Sequence, residues 1–154
     1  MPKHRVQPRA VARWLIALGL WLALSAAALA AGAGELAAFA RQIGLADVVG
    51  FVATIESLDR TGRLPPSYLT KDEAAAMRWR PGRDLWATAP GKSIGGDRFA
   101  NRERLLPAAP GLRYIEADLD YQGGARNAKR LIVASDGRRW VTVDHYRSFR
   151  PVPR

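Results

Sequence analysis

Arg113-Tyr-Ile-Glu-Ala-Asp-Leu-Asp-Tyr121, Gln122-Gly-Gly124, Ala125-Arg-Asn-Ala-Lys-Arg-Leu-Ile-Val-Ala134, Ser135-Asp-Gly137 and Trp140-Val-Thr-Val-Asp-His-Tyr146 form one continuous region whose pattern decides the fold. Apolar and β-branched runs separated by Gly-Gly and Asp-Gly predict three antiparallel strands joined by consecutive hairpins. Side chains alternate across a sheet, so Glu116, Asp118 and Asp120 share one face of the first strand. Arg126, Ala128, Arg130 and Ile132 share a face of the second, and Val141, Val143 and His145 a face of the third. A three-residue loop at Gln122–Gly124 sets Glu116 opposite Arg130, whereas a two-residue loop would set it opposite Leu131, with no cationic partner; the first is expected. A two-residue turn at Asp136-Gly137 then pairs Val143 with Arg130 and Ala128 with His145.

One sheet face is thereby expected to carry a carboxylate, two guanidiniums and an imidazole. A paired base and acid beside fixed positive charge suit phosphoryl chemistry, whose transition state gains negative charge while one oxygen loses a proton and another gains one. A solvated sheet face crossed by structural salt bridges would show the same residue types.

The flanking chain narrows the choice. Lys and Arg number 24 against 14 acids, a net charge of +10, which favours a polyanionic partner. At 154 residues and 48% hydrophobic, the chain has the material for one domain with a core. Its start holds Lys3, Arg5, Arg9 and Arg13 with no acid, followed by a weakly polar-to-apolar run from Trp14 to Leu29 and the small residues Ala28-Leu29-Ala30. That is the pattern of a secretory signal peptide over residues 1–30, with Ala33 a second cleavage position and an uncleaved anchor the alternative. Cleavage leaves 20 basic against 14 acidic groups and no stable membrane association. The expected location is secreted, extracellular or periplasmic.

No cysteine is present, so disulfides, thiolate catalysis and thiolate metal sites are excluded. The only histidines are His4 and His145, which excludes a histidine-rich metal site, and no cofactor is expected. Glu35–Ile43 fits a short helix. Val48, Phe51, Val52, Ile55 and Leu58 have the spacing of an amphipathic helix ended by Gly62. Thr70-Lys71-Asp72-Glu73 is a capping box that opens a second helix running to about Arg78. Lys71 in its first turn is disfavoured by the helix dipole; either it is incidental, or ammonium and helix N-terminus jointly bind an anion. Gly91-Lys92-Ser93 matches only the tail of a phosphate-binding loop, since Trp86 stands where the leading glycine is required.

Taken together, Leu64-Pro65, Tyr68, Thr70-Lys71, Ala89-Pro-Gly-Lys-Ser-Ile-Gly-Gly-Asp97, Phe99, Asn101-Arg102-Glu103, Leu106-Pro107, Glu116-Ala-Asp118, Tyr121, Arg126-Asn127, Arg130, Ser135-Asp136 and Asp144-His-Tyr146 resemble secreted microbial ribonucleases of the barnase and binase type. The resemblance runs from about Asp47 to the C-terminus. It implies a ribonuclease domain over residues 47–154 preceded by an extension, residues 31–46, of unknown role. The implied fold is α+β, with N-terminal helices packed on one face of an antiparallel sheet.

The implied activity is that of a monomeric endoribonuclease cutting single-stranded RNA 3′ of guanosine, through a 2′,3′-cyclic phosphate. Glu116 would be general base, His145 general acid, and Lys71, Arg126 and Arg130 phosphate ligands. Phe99, Asn101, Arg102 and Glu103 would recognise guanine, with Tyr146 beside base or phosphate. An acidic protein inhibitor of the barstar type is implied as a partner. A catalytically weak or inactive RNA-binding module on the same fold is the alternative, although both Glu116 and His145 are retained. Three positions depart from the family: Ala100 replaces a usual serine, Asp84 a usual asparagine, and Leu112 an arginine that pairs with the acid matching Asp136. Arg113 or Arg138 must compensate for the last, or that bridge is absent.

Overall fold

The computed structural model describes residues 30–153; the segment expected to be a signal peptide lies outside them except for Ala30. Two units divide the chain at Glu35, and everything below concerns Leu36–Arg154. It begins in a first helix, α1, helical through residue 42. Helix α2, Val48–Thr61, follows, and then a short strand β1, Tyr68–Leu69. Helix α3, Lys71–Ala76, leads through a 3₁₀ turn, Leu85–Ala87, into β2, Ser93–Phe99. Strands β3 (Tyr114–Asp118), β4 (Arg130–Ala134), β5 (Arg139–Thr142) and β6 (Arg150–Pro151) complete the chain.

The six strands form one sheet in sequence order, antiparallel except for the parallel β1–β2 edge. The α+β architecture is the expected one. Asp47 caps α2 by accepting from Gly50 N, and Gly62, left-handed at φ 69°, closes it through its N–H to Leu58 O. Phe51, Ile55 and Leu58 of α2 are buried with Ala117, Leu131 and Val141 of the sheet. Leu36, Ala40 and Ile43 join the same cluster, so the stretch before Asp47 contributes side chains to the core.

The register differs from expectation at both hairpins. Asp118 pairs with Arg130 and Glu116 with Ile132, so Glu116 is not directly opposite Arg130 but remains its diagonal neighbour on the same face. Neither short loop at the Gly-Gly pair forms, because the chain leaves the ladder at Asp118 and returns only at Arg130. Distant contacts hold the intervening segment open. Asp120 accepts from Ala46 N and Asp47 N at 2.8 and 2.9 Å, and Lys129 Nζ bridges Asp120 and Gly44 O. The Tyr121 hydroxyl accepts from Leu85 N and donates toward Asp84 Oδ1 and Gly124 O. Gly123, at φ 82°, lies so close to Trp86 that a side chain would crowd the indole.

The second turn spans Ser135–Gly137, one residue longer than expected, and pairs Arg130 with Thr142 rather than Val143. A one-residue slip turns every side chain over: Val141 faces the helices, while Thr142 faces the same side as Glu116. The third strand also stops at Thr142, leaving His145 in a loop, although its N–H still reaches Ala128 O at 3.3 Å.

Candidate active site

A bulge at Gly96, φ 100°, fits two residues of β2 against one of β3 and sets Asp97 opposite Glu116. Asp97 in turn accepts from Lys71 N at 3.1 and 3.2 Å, fixing the start of α3 against the sheet. The capping box forms as read: Thr70 accepts from Glu73 N, and Glu73 accepts from Thr70 N at 2.7 Å. The anion at this helix start is therefore Asp97, and the Lys71 ammonium reaches Glu116 Oε1 at 3.0 Å while lying 4.0 Å from Asp97 Oδ2. Lys92 is structural, donating to Pro66 O.

Glu116 is buried, and its second oxygen accepts from the Tyr146 hydroxyl at 2.7 Å. Burial pushes its carboxyl up, but hydrogen bonds from Tyr146 and Lys71 and the charges of Lys71 and Arg126 outweigh that and hold it below its ordinary value. Burial and the Glu116 partner push the Tyr146 phenol up to about 12, so it stays a donor. Two residues along the strand, Asp118 anchors both guanidiniums. Arg126 donates to it through Nε and Nη2 at 2.6 Å, a bidentate pair. Arg130 Nε lies 2.9 Å from Asp118 Oδ1 without hydrogen-bond alignment, and its Nη1 donates to Lys129 O. Sequence reasoning placed Asp118 on the correct face but gave it no task; two arginines facing one acid on a shared face were the available signal.

A cleft of about 620 Å³ opens at Glu116, within the range of about 300–1,000 Å³ that small-molecule sites occupy; Lys71, Arg126 and Arg130, the expected phosphate ligands, are not among its lining residues but stand behind Glu116 and Asp118. The loop from Phe99 to Glu103 forms one wall, and Glu116, His145 and Tyr146 line the other. Phe99 stacks on Tyr146 with centroids 5.5 Å apart and planes at 21°. Asn101 is left-handed at φ 47°, and its amide is used within the loop, donating to Leu106 O and accepting from Leu106 N. Arg102 and Glu103 are exposed and make no ion pair among the described residues, leaving both charges available to a ligand. Ala100 is exposed at the rim. Asp84 caps the 3₁₀ turn by accepting from Trp86 N, and Asp136 pairs with Arg138 at 2.7 Å, the compensation that Leu112 requires.

His145 and Tyr146 are consecutive non-glycine residues in the left-handed region, at φ 60° and 67°. Such residues cost on the order of 1–3 kcal/mol each and persist only where their surroundings impose them. The imidazole is exposed, makes no side-chain hydrogen bond among the described residues, and rests edge-on to Tyr146 at 5.4 Å. The apolar alternation predicts strand through these residues, whereas β5 ends at Thr142 and the chain turns.

A ribonuclease family model matches residues 53–153, about two thirds of the chain. The chain belongs to the ribonuclease family. Similar proteins include a ribonuclease of Bacillus intermedius, 46% identical over 106 residues, which are 68% of this chain and 65% of that protein. A ribonuclease of Heyndrickxia coagulans is 47% identical over 100 residues, 64% of this chain and 92% of that one. The chain thus spans slightly under two thirds of the Bacillus relative, and the matched part has the barnase and binase type of ribonuclease domain.

Proposed function

We propose that this chain is a secreted endoribonuclease that cleaves single-stranded RNA 3′ of guanosine by transesterification. The observation that carries the reading is a buried Glu116, held ionised by Lys71 and Tyr146, that lines one cleft with His145. Glu116 removes the proton of the ribose 2′-hydroxyl, and that oxygen attacks the adjacent phosphorus. The bond from phosphorus to the 5′-oxygen breaks as His145, protonated, gives its proton to the leaving oxygen. A 2′,3′-cyclic phosphate results, which water opens with the two roles exchanged. Lys71, Arg126 and Arg130 answer the charge that develops on the phosphoryl oxygens. DNA lacks the nucleophile and is not cut.

Guanine preference rests on Glu103, whose free carboxylate can accept from the N1 and N2 donors of that base, with loop amides meeting its O6. Phe99 and Tyr146 offer aromatic faces, and Arg102 a free cation, at the same wall. The basic and apolar N-terminal segment supports export. A cationic cleft also suits an acidic protein inhibitor of the barstar type that presents carboxylates where phosphates would sit.

The test uses residues 31–154 and a GpN dinucleotide, with products separated by chromatography. Guanosine 2′,3′-cyclic phosphate is the expected first product, with slower cleavage of ApN. RNA binding without any cyclic phosphate would leave only the inactive RNA-binding module. Expression of the same residues in bacterial cytoplasm should be toxic and relieved by His145→Ala; harmless expression of folded wild-type protein would contradict the need for an inhibitor.

A further inference from the structure

Asp144, beside the general acid, has no place in the proton transfers, yet more hydrogen bonds converge on it than on any other group of its loop. Its Oδ1 accepts from Thr142 Oγ1 at 2.9 Å, Arg147 N at 3.1 Å and Ser148 N at 3.0 Å, and its Oδ2 accepts from Ser148 Oγ at 2.5 Å. Thr142 Oγ1 in turn accepts from Tyr146 N at 3.0 Å. These bonds close a ring around residues 142–148, and inside it sit the two left-handed residues His145 and Tyr146.

The imidazole has no side-chain partner of its own among the described residues, so its direction is set by its backbone and by the edge contact with Tyr146. Tyr146 has other anchors, the stack on Phe99 and the bond to Glu116. His145 has none. Resting on the ribonuclease reading, we propose that Asp144 is a positioning residue that aims the general acid, His145, at the leaving oxygen by holding residues 145 and 146 left-handed. The Ser148 hydroxyl and amide, ahead of the opposing effect of burial, hold the Asp144 carboxyl at about 2, so the clamp stays ionised wherever the enzyme works. Thr142, buried at the end of β5, ties the clamp to the sheet that carries Glu116.

The experiment compares Asp144→Ala, Asp144→Asn and Ser148→Ala with wild type on two substrates. One is a GpN dinucleotide, whose alkoxide leaving group needs a proton; the other is a guanosine 3′-(4-nitrophenyl phosphate), whose leaving group does not. Misplacement of a catalytic group by about 1 Å can cost on the order of 10²-fold. Asp144→Ala should accordingly lower kcat on the dinucleotide by roughly ten- to a hundredfold, with KM within about threefold and the aryl ester cleaved within about threefold of wild type. Asp144→Asn, which keeps one acceptor oxygen, should recover part of the loss, and Ser148→Ala should show a smaller version of it. Equal loss on both substrates would mean a general structural role and overturn the proposal, as would unchanged kcat on the dinucleotide. If Asp144→Ala does not fold, the Asn and Ser148 variants decide by the same ratio. If wild type cleaves neither substrate, the ribonuclease reading falls by itself. The clamp is then judged by the amide–Hα couplings of residues 145 and 146, which must lose their left-handed values in the Asp144 and Ser148 variants; unchanged couplings overturn it.

Discussion

Both faces of the sheet are buried, but around Glu116 and Asp118 they differ in chemistry, although Ile132 and Ala134 farther along the Glu116 face are apolar as well. Toward the helices, Ala117, Leu131 and Val141 are 1%, 0% and 1% exposed; on the opposite face, Glu116, Asp118, Arg130 and Thr142 are 8%, 2%, 4% and 1% exposed. The first face gains stability from apolar area removed from water, and neighbours can relax around a lost methyl group. The second is tolerable only because its charges are matched, Lys71 to Glu116 and two arginines to Asp118. Burial thus gives cohesion on one side and, on the other, holds charge in a low-dielectric place, where on the proposed reading it would act strongly on a bound phosphate.

Breaking the charged side should have the largest effect on stability. Asp118→Ala leaves Arg130 buried without its carboxylate and frees Arg126, and removal of one partner of a buried pair costs about 3–5 kcal/mol. Urea denaturation should show that loss, together with weaker RNA cleavage by the molecules that remain folded. A variant as stable as wild type would mean that this face is solvated and that Asp118 is only one of several anchors.

On the other face, Leu131→Ala should cost about 2–4 kcal/mol through the cavity it leaves, within the range for buried leucines. Its turnover, measured well below its own melting temperature, should be nearly that of wild type. A large fall in kcat without loss of stability would show that the two faces are not independent.

Much of this contrast was legible in the sequence, and its gaps have physical causes. Capping box, α2 and three strands were set by local chemistry at Thr70, Glu73, Asp47 and Gly62 and by apolar spacing. The register was not, because the segment between Asp118 and Arg130 is held by partners far away in sequence: Ala46 and Asp47 for Asp120, Leu85 for Tyr121. Asp118 was passed over for a related reason: the expected register set Arg130 opposite Glu116, and only the observed one sets it opposite Asp118. His145 was found, but its turn was not, because left-handed histidine and tyrosine carry no sequence signal comparable to glycine.

A smaller effect sharpens the charged side further. Tyr146→Phe removes a hydrogen bond that lowers the Glu116 carboxyl. On the proposed scheme cleavage requires Glu116 ionised, so activity should be present above its depressed titration and lost as pH falls through it. The acidic limb of kcat/KM should therefore lie below the usual carboxylate range in wild type and move upward in the variant, with the folded state unchanged by circular dichroism. An acidic limb that does not move would detach Tyr146 from the base.

The central claim is that Glu116 and His145 form one acid–base pair. The direct measurement is the rate of cyclic phosphate formation from a GpN dinucleotide by Glu116→Ala, His145→Ala and the double variant, each confirmed as folded. Each single change should lower kcat by on the order of 10²-fold or more. The double variant should lose much less than the product of the two, because residues acting as a unit are not additive. Near-normal cleavage by His145→Ala, or fully multiplicative losses, would contradict the account.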